Sequence, residues 1–316
     1  MKKVLERIKY LNILVFGDVM LDRYVNGEVS RISPEAPVPV IRVREEKSVP
    51  GGAANVALNL ASLGASVEAV GWFGKDEQGD QLVEILSKRN IEVDSRCRFS
   101  SAPTISKSRI TSSNQQICRV DRESNAEAYS LGLDQFGSLL MEKAGNADAV
   151  IISDYGKGFV TKEAIELLKG SAPFLAVDPK PSRPIEYTCP DLLTPNRFEA
   201  LEMVGMSRES HAPFPRDEVI EKIFEHFSPK MLAVTLGSEG MLLAEKGKMK
   251  SLIPTAAREV FDVSGAGDTV IATLTLGLVA GETFEDSAHL ANLAAGIVVG
   301  KVGTATVTPE EILTVL

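Results

Sequence analysis

Hydrophobic and polar positions follow two different patterns along this chain. Short apolar runs at residues 12–17, 149–153 and 174–178 predict strands that are buried on both faces of a sheet. At residues 133–144 and 162–169, apolar side chains recur every three or four positions, which predicts helices with one buried face. Because strands and helices alternate from about residue 133 onward, the pattern predicts a parallel α/β sheet with helices on both faces.

The same two patterns predict the remaining elements. Strands are predicted at residues 38–43, 67–72, 192–194 and 232–236. Helices are predicted at residues 51–63, 78–89 and 218–227, and from Arg197, Gly267, Phe284 and Pro309.

Two regions, at about residues 18–45 and 95–122, break the alternation of strands and helices. Within the second region, residues 104–111 and 116–121 alternate with a period of two, like a hairpin with one exposed face. We interpret the two regions as a small antiparallel β lid, formed discontinuously beside a single domain that spans residues 1–316. The alternative is an antiparallel extension of the main sheet.

Composition narrows the class of ligand. The chain has 316 residues and a net charge of -9, from 34 Lys+Arg against 43 Asp+Glu, which argues against a general nucleic-acid binder. The longest uncharged apolar stretch, residues 269–281, is too short to span a bilayer, and charges interrupt the N-terminal segment where a signal peptide would be apolar. The 3 cysteines lack metal-type spacing and fit reduced thiols. We expect a cytoplasmic protein that binds small molecules, and neither nucleic acid nor membrane.

The sharpest local motif is Asp262-Val-Ser-Gly265-Ala266-Gly267-Asp268, which a long apolar helix follows directly. Small residues at a helix N-terminus let backbone N–H groups converge on an anion, and the helix dipole favours negative charge there. Asp268, in the first turn, is expected to stay ionised and to accept a proton from a substrate hydroxyl, as phosphoryl transfer requires. The alternative is a Gly-rich turn with an Asp helix cap.

A second motif, Thr194-Pro-Asn196-Arg-Phe-Glu199, lies where a predicted strand ends and a helix begins. This is the ligand-binding edge of an open α/β sheet. Asn196 and Glu199 either form a capping box or project toward hydrated Mg²⁺ and nucleotide phosphates. The sequence leaves both interpretations open.

Two motifs near the N-terminus suit a polyhydroxylated ligand. Gly51 and Gly52 permit close backbone approach, and Asn55 can bind sugar hydroxyls, with a flexible helix start as the alternative. Asp18 and Asp22 supply two carboxylates for vicinal hydroxyls. Further charged residues follow predicted strand ends, where ligands bind in such sheets; they are Asp154, Lys157, Asp178 and Lys180.

Familiar nucleotide motifs are absent from the sequence. There is no GxxxxGK[ST] loop, and the Gly265-x-Gly267 pair lacks the third glycine of a dinucleotide fingerprint. If the chain binds a nucleotide, it is therefore neither a P-loop protein nor a typical dehydrogenase.

Taken together, the motifs resemble the PfkB (ribokinase-like) carbohydrate kinase family, over nearly the whole chain and in the expected order. This resemblance implies a ribokinase-like three-layer α/β/α sandwich with a small antiparallel β lid. Longer runs resemble the branch of the family that phosphorylates D-glycero-β-D-manno-heptose 7-phosphate; they are residues 17–24, 30–39, 51–57, 154–158, 178–180, 265–270 and 300–307.

The resemblance implies a role for each motif. Asp268 is the base, and the amides of Gly265, Ala266 and Gly267 stabilise the moving phosphoryl group. Asn196 and Glu199 organise Mg²⁺. The residues implied to hold the sugar are Asp18, Asp22, Gly51, Gly52, Asn55 and Asp154. The candidate cations for the phosphate of a sugar phosphate are Lys107, Arg109, Arg119, Lys157 and Lys180, with Lys157 and Arg109 the strongest.

For the nucleotide, the family resemblance points to Thr235, Gly237 and Gly240. Asn292 is expected to line the adenine pocket, unless it is only a polar residue on a packed Ala/Gly-rich helix. The implied cofactors are ATP and Mg²⁺, with a monovalent cation such as K⁺ near Asp262 and Gly303.

The activity implied is transfer of the ATP γ-phosphoryl to the anomeric O1 of the heptose phosphate, for ADP-heptose and lipopolysaccharide core synthesis. Such kinases commonly dimerise through the lid, and we expect a homodimer. A kinase for fructose phosphate, ribose or a nucleoside is the alternative, as is a catalytically silent sugar-binding paralogue. The chain is either a stand-alone kinase or one domain of a longer protein.

Overall fold

Strands make up most of the framework that positions the site. The computed structural model describes residues 2–113, 115–181, 186–207, 213–257, 260–301 and 303–315. In chain order the strands are β1 (Asn12–Gly17), β2 (Val19–Ile32), β3 (Pro39–Gly52), β4 (Ser66–Val70), β5 (Phe73–Gly74), β6 (Ile91–Glu92), β7 (Arg98–Phe99), β8 (Ser106–Ser112), β9 (Gln115–Arg122), β10 (Ala149–Ser153), β11 (Leu175–Asp178), β12 (Leu192–Leu193), β13 (Met231–Thr235), β14 (Met241–Glu245) and β15 (Lys248–Ile253).

Helices flank this framework. In chain order they are α1 (Lys2–Ile8), α2 (Ala53–Ser62), α3 (Glu77–Ser87), α4 (Leu133–Gly145), α5 (Lys162–Ser171), α6 (Arg197–Met203), α7 (Arg216–Phe227), α8 (Ala266–Val279), α9 (Phe284–Val299) and α10 (Pro309–Thr314). Among the described residues, no helix is long and apolar enough to cross a membrane.

The main sheet has nine strands in the order β15-β14-β13-β12-β11-β10-β1-β4-β6. Its strands pair in parallel from β6 to β13, as predicted, and carry a buried apolar core. The sheet departs from the predicted parallel arrangement at one edge, where β13, β14 and β15 pair antiparallel. This edge is a tight hairpin, turned by Lys246 and Gly247 at φ 53° and 73°.

Helix α8 differs from a typical surface helix because every residue from Asp268 to Gly277 is buried. It packs against α2 and α9 and against the strands β10 and β11. An apolar helix without a polar face must be enclosed by the protein, so its N-terminus opens at the carboxyl edge of the sheet rather than into bulk solvent.

A second sheet, which we call the lid, has the order β3-β2-β8-β9. The pairs β2–β3 and β8–β9 are antiparallel. The central pair, β2 with β8, is parallel, so the expectation of a purely antiparallel lid was wrong. The chain returns to the main sheet between β3 and β8, and this crossover brings β8 back in the same direction as β2.

The register of the lid places charged side chains together on one face. Tyr24 lies opposite Arg109, and Arg109 lies opposite Arg119 across the next pair. Asp22 lies opposite Lys107 in the same register. Because directly paired residues share a face, these five side chains form one polar surface of the lid.

Candidate active site

Loops at the carboxyl ends of four parallel strands meet the N-terminus of α8. They enclose a polar cavity of about 180 Å³. Its lining residues are Asp154, Tyr155, Asp178, Lys180, Thr194, Asn196, Glu199, Thr235, Gly265, Gly267 and Asp268. Most of the charged residues predicted at strand ends therefore converge, as expected for the ligand edge of an open α/β sheet.

Asp268 is buried at the head of α8 and is only 5% exposed. Its Oδ1 accepts a 2.7 Å hydrogen bond from the Tyr155 hydroxyl, and its Oδ2 accepts one of 2.6 Å from the Asn55 amide. Burial raises the pKa of this carboxyl to about 6, although both hydrogen bonds oppose the rise. The group is therefore ionised above about pH 6 and can accept a proton near neutral pH.

The turn before α8 depends on glycine. Gly265 has φ 80°, and a side chain there would press on the Asn55 amide nitrogen at 2.8 Å. A Cβ added at Gly267 would meet no atom of the described residues within 4 Å, apart from its chain neighbours and the backbone of its own helix, because Gly267 borders open space in the cavity. The Ala266 N–H donates to the Val263 carbonyl at 3.2 Å, so that amide is already engaged. First-turn amides at Gly267 and Asp268 have no intrahelical acceptor and are the better candidates for holding an anion.

Asn196 and Glu199 form the complete capping box that the sequence allowed. Asn196 Oδ1 accepts the Glu199 N–H at 3.0 Å, and Glu199 Oε2 accepts the Asn196 N–H at 3.0 Å. The second Glu199 oxygen, Oε1, lies 3.4 Å from Lys180 Nζ, and both residues line the polar cavity. The capping box fixes where the carboxylate points, and it does not prevent Glu199 from facing a ligand.

Negative charge accumulates in the polar cavity. Burial raises the pKa of Asp178 well above its ordinary value, and the charges of Glu199 and Asp268 raise it further. Lys180 is the one cation among the described residues that line the cavity. Carboxylate and amide oxygens that crowd around one small polar space, with their mutual repulsion unrelieved, suit a hydrated divalent cation such as Mg²⁺.

A larger cavity, of about 420 Å³, adjoins the polar one through Thr235 and Gly267. Its walls are mainly apolar or small residues; they are Thr235, Gly237, Ser238, Gly240, Met241, Thr255, Ala257, Val260, Val263, Ala266, Gly267, Val270, Asn292, Ala295, Gly296 and Val299. Asn292 donates a 2.7 Å hydrogen bond to the Pro254 carbonyl. The structure thus brings together the nucleotide residues that the sequence singled out.

Val260 and Val263 at the rim of this larger cavity were missed by the sequence reasoning. They are 60% and 68% exposed, which is unusual for valine and leaves apolar surface beside the cavity. The available signal was the run of apolar residues directly before the Gly265 turn. Asp262, nearby, accepts the Ser264 N–H at 2.9 Å, and residue 302, next to Gly303, lies outside the described residues.

Asp18 does not line either cavity in the described structure. It is 1% exposed, and its carboxylate accepts three backbone N–H groups of the loop that follows β10: those of Tyr155, Lys157 and Phe159. Burial raises its pKa to about 6, and the charge of Asp154 adds to the rise. Asp154 itself accepts hydrogen bonds from the Gly156 N–H at 2.7 Å and the Tyr187 hydroxyl at 2.6 Å.

The candidate phosphate-binding cations lie in two places. Lys180 is in the polar cavity, whereas the other four lie on the lid or where the lid meets the main sheet, each paired with a carboxylate. The pairs are Arg109–Asp22 at 2.5 Å, Lys107–Asp121 at 3.3 Å, Arg119–Asp121 at 2.8 Å and Lys157–Glu123 at 2.7 Å. Arg109 also lies over the Tyr24 ring, 5.4 Å from its centroid.

The two glycines predicted to lie near the sugar, Gly51 and Gly52, pack tightly against neighbouring residues. Gly52 has φ 58° and directly precedes α2, and a side chain at Gly51 would collide with the Asp22 carboxylate. Asn55, expected to meet a sugar, instead donates to Asp268, while its own Oδ1 is buried without a partner among the described residues. Tyr155, which the sequence analysis gave no role of its own, completes the surroundings of Asp268.

A buried carboxylate at a helix N-terminus lines an acidic polar cavity that adjoins a larger apolar one, an arrangement that suits phosphoryl transfer. The chain matches the pfkB family carbohydrate kinases over residues 11–311. It belongs to this family and is an ATP-dependent carbohydrate kinase.

Comparison with individual proteins agrees with the family. The chain is 41% identical over 322 residues to a bifunctional protein HldE of Klebsiella pneumoniae strain 342, and 42% identical over 321 residues to that of Proteus mirabilis. The alignments cover 99% of this chain but 65% of each relative, so the chain spans about two thirds of their length.

Solved structures share the fold at lower identity. Arabidopsis thaliana ribokinase complexed with ribose and ATP has a TM-score of 0.73 and 21% identity, covering 96% of this chain and 98% of the other. Escherichia coli phosphofructokinase-2 in complex with potassium has a TM-score of 0.77 and 19% identity, covering 96% and 97%. These likenesses confirm the predicted ribokinase-like α/β architecture.

Proposed function

We propose that the chain transfers the γ-phosphoryl group of ATP to the anomeric O1 of D-glycero-β-D-manno-heptose 7-phosphate, giving the 1,7-bisphosphate. The observation that carries a kinase mechanism is the buried Asp268 carboxylate, which lines the polar cavity next to Gly267, where the two cavities adjoin. The heptose substrate is supported by the sequence runs described above and by the relationship to HldE. The product would serve ADP-heptose and lipopolysaccharide core synthesis.

The residues around Asp268 suit this transfer. With its pKa at about 6, the carboxylate is ionised near neutral pH and accepts the O1 proton as the bond to phosphorus forms. Asn55 Oδ1, buried and unpaired among the described residues, is available to accept a hydrogen bond from a sugar hydroxyl. The first-turn amides of α8 then face the charge that develops on the moving phosphoryl group.

Mg²⁺ would be held near Asn196 and Glu199, beside Lys180, and would neutralise phosphate charge in the acidic cavity. These residues fit the ion because Glu199 Oε1 is outside the capping box, its nearest described cation being Lys180 at 3.4 Å. The single side-chain oxygen of Asn196 accepts the Phe198 and Glu199 N–H groups, so Glu199 Oε1 is the oxygen of the capping box that is left to face the ion and the waters that Mg²⁺ retains.

Glu199→Gln is expected to raise the Mg²⁺ concentration needed for half-maximal rate, because it removes charge from the cation's surroundings while an amide oxygen can still cap α6. The measurement is the rate against free Mg²⁺ at saturating ATP. Glu311→Gln is a matched control, since Glu311 completes the capping box of α10 and lines neither cavity. If the Glu199 variant needed the same Mg²⁺ concentration as the wild type, the Glu199 side chain would serve only to cap α6.

The polar face of the lid is proposed to bind the distal phosphate of the sugar. Arg109 and Arg119 lie directly opposite each other, an arrangement that costs free energy unless carboxylates or an anion neutralise it. In the structure Asp22 and Asp121 provide that neutralisation. A sugar phosphate that enters under the lid would compete for the same guanidinium groups.

Arg109→Ala is expected to weaken sugar-phosphate affinity by about 2 kcal/mol, the scale of one lost charge-assisted hydrogen bond, while ATP affinity stays nearly constant. Separate titrations of each ligand measure this split. Arg44→Ala is the control, because Arg44 pairs with Glu28 on the exposed part of the same lid. Equal losses of affinity for both ligands would mean that the β8–β9 hairpin has a structural role. The phosphate would then be expected to bind at Lys157 and Lys180.

We also propose a homodimer formed through the lid. Support comes from apolar side chains that the lid leaves exposed; they are Val29, Ile32, Val38, Val43, Ile117 and Val120. The molecular mass in solution tests this proposal.

A monovalent-cation site near Asp262 and Gly303, and a cytoplasmic location, stay predictions.

The kinase proposal is tested by incubating the protein with ATP, Mg²⁺ and heptose 7-phosphate and following the products by ³¹P NMR. A new phosphate ester on the anomeric carbon, formed together with ADP, is the expected result. ADP formation without a sugar bisphosphate, or no turnover of the heptose phosphate, would contradict the proposed function.

A further inference from the structure

We infer that Tyr155 is a positioning residue that fixes and tunes the Asp268 carboxylate, and that Asp18 places Tyr155 by clamping the loop of residues 154–159. This inference rests on the proposed role of Asp268 as the base. It gives Asp18 a role different from the sugar contact that the sequence suggested.

The first step is the contact between Tyr155 and Asp268. The Tyr155 hydroxyl donates to Asp268 Oδ1 at 2.7 Å, while the Asn55 amide holds Oδ2 at 2.6 Å. Two donors on the two oxygens fix the carboxylate plane. Each carboxylate oxygen has two lone pairs, so an acceptor site is left for the proton of a substrate hydroxyl.

The second step is the clamp on the loop that carries Tyr155. Asp18 Oδ2 accepts the Tyr155 and Lys157 N–H groups at 2.9 Å each, and Oδ1 accepts the Phe159 N–H at 3.2 Å. Asp18 is 1% exposed, so bulk water does not compete for these bonds. The clamp therefore sets the backbone from which the Tyr155 side chain reaches Asp268.

The sequence of the loop is built for this clamp. The intervening residues, Gly156 and Gly158, have φ 71° and 114°, which L side chains rarely adopt. Positive φ at alternate residues turns the N–H groups of positions 155, 157 and 159 toward one side, where they surround a single anionic group. A side chain at Gly158 would also collide with the Ala126 carbonyl.

The charged groups around Asp268 explain why the hydrogen bond from Tyr155 is important for the pKa of this carboxyl. Asp22 and Glu199 face the carboxyl from the lid and from α6, and they raise its pKa together with burial. Asp178 is a further buried carboxyl group lining the cavity, its pKa raised by burial and by the charges of Glu199 and Asp268, and Lys180 is the nearby cation. The hydrogen bonds from Tyr155 and Asn55 lower the pKa of Asp268. Without the Tyr155 hydroxyl, the carboxyl would be protonated at a higher pH.

The test is the pH profile of kcat for Tyr155→Phe with ATP and heptose 7-phosphate. We expect the acid limb to move up by about one pH unit and kcat at pH 7 to fall about tenfold, with a small change in sugar KM; lost ionisation accounts for about twofold of that fall and lost orientation of the carboxylate for the rest. Titration of the substrate phosphates is common to all variants and cancels in the comparison. Tyr129→Phe is the control, because it removes another buried hydroxyl, bonded to the Pro103 carbonyl; its acid limb should stay in place.

Asp18→Asn tests the clamp and serves as the second variant if Tyr155→Phe folds poorly. It is expected to move the acid limb in the same direction and to lower kcat more than it raises sugar KM. An unmoved acid limb in Tyr155→Phe, with Asp268→Asn inactive, would overturn this inference and leave the proposed function standing. A raised sugar KM in Asp18→Asn with an unmoved limb would make Asp18 a sugar ligand. Activity retained in Asp268→Asn would instead remove the proposed base itself.

Discussion

Asp268→Asn is expected to lower turnover at least about 100-fold, the lower range for a lost general base, while ATP binding stays largely intact. The substitution keeps the size and burial of the side chain but removes the carboxylate that accepts the proton. Because Asp268 lines the polar cavity and not the apolar one, the nucleotide should keep most of its contacts. Coupled ADP release and calorimetric ATP titration measure the two effects separately.

The same carboxylate predicts how the wild-type rate depends on pH. Its pKa of about 6 lies above the ordinary value for Asp, so the ionised base is lost as the pH falls through about 6. The rate should therefore decline on the acid side of neutrality, at a higher pH than an exposed aspartate would allow. Turnover of Asp268→Asn within a few-fold of wild type would remove Asp268 from the base role.

Gly267→Ala is expected to lower kcat at least about 30-fold without lowering the melting temperature, because alanine has the higher intrinsic helix propensity. Among the described residues, no atom outside the neighbouring residues and the backbone of α8 itself lies within 4 Å of the added methyl group, so the fold has no steric reason to change. Gly267 borders both cavities, and the methyl group would occupy the space through which the phosphoryl group passes. Displacing the phosphorus from the first-turn amides of α8 removes transition-state stabilisation.

Gly170→Ala is the matched control for this variant. Gly170 lies near the end of α5, and a methyl group added there would likewise meet nothing within 4 Å. Thermal unfolding and steady-state kinetics should show normal activity for Gly170→Ala and a stable but slow Gly267→Ala enzyme. Normal turnover in the Gly267 variant would place the phosphoryl path elsewhere.

Much of the fold follows from hydrophobic periodicity, and the failures have local causes. Six of the seven parallel strands of the main sheet were predicted within a few residues, because burial on both faces gives continuous apolar runs, whereas the two-residue edge strand β6 was missed. The β14–β15 hairpin was missed, although Gly247 marks its turn, because Lys248–Ile253 is largely polar or exposed. Helix α1 was missed because charges dominate Lys2–Ile8, and its buried residues Val4, Leu5 and Ile8 form only a narrow stripe.

The sequence predicted which residues belong to the candidate site better than it predicted what each of them contacts. Asp268 and the Gly265 turn can be recognised from the sequence because few residue types suit a tight turn at a helix N-terminus. Asp18 was assigned to the sugar, whereas in the structure its carboxylate is occupied by backbone amides of a loop that lies about 140 positions later in the chain. A long-range contact of this kind leaves no periodic signal in a single sequence.

The central claim is the identity of the acceptor, and the most direct test is ADP release with a panel of sugars at fixed ATP and Mg²⁺. The panel comprises D-glycero-β-D-manno-heptose 7-phosphate, sedoheptulose 7-phosphate, fructose 6-phosphate, fructose 1-phosphate and ribose. We predict the highest kcat/KM for the heptose phosphate, with that activity lost in Asp268→Asn. A higher kcat/KM for a fructose phosphate or ribose, or no sugar-dependent ADP release from any member, would contradict the account.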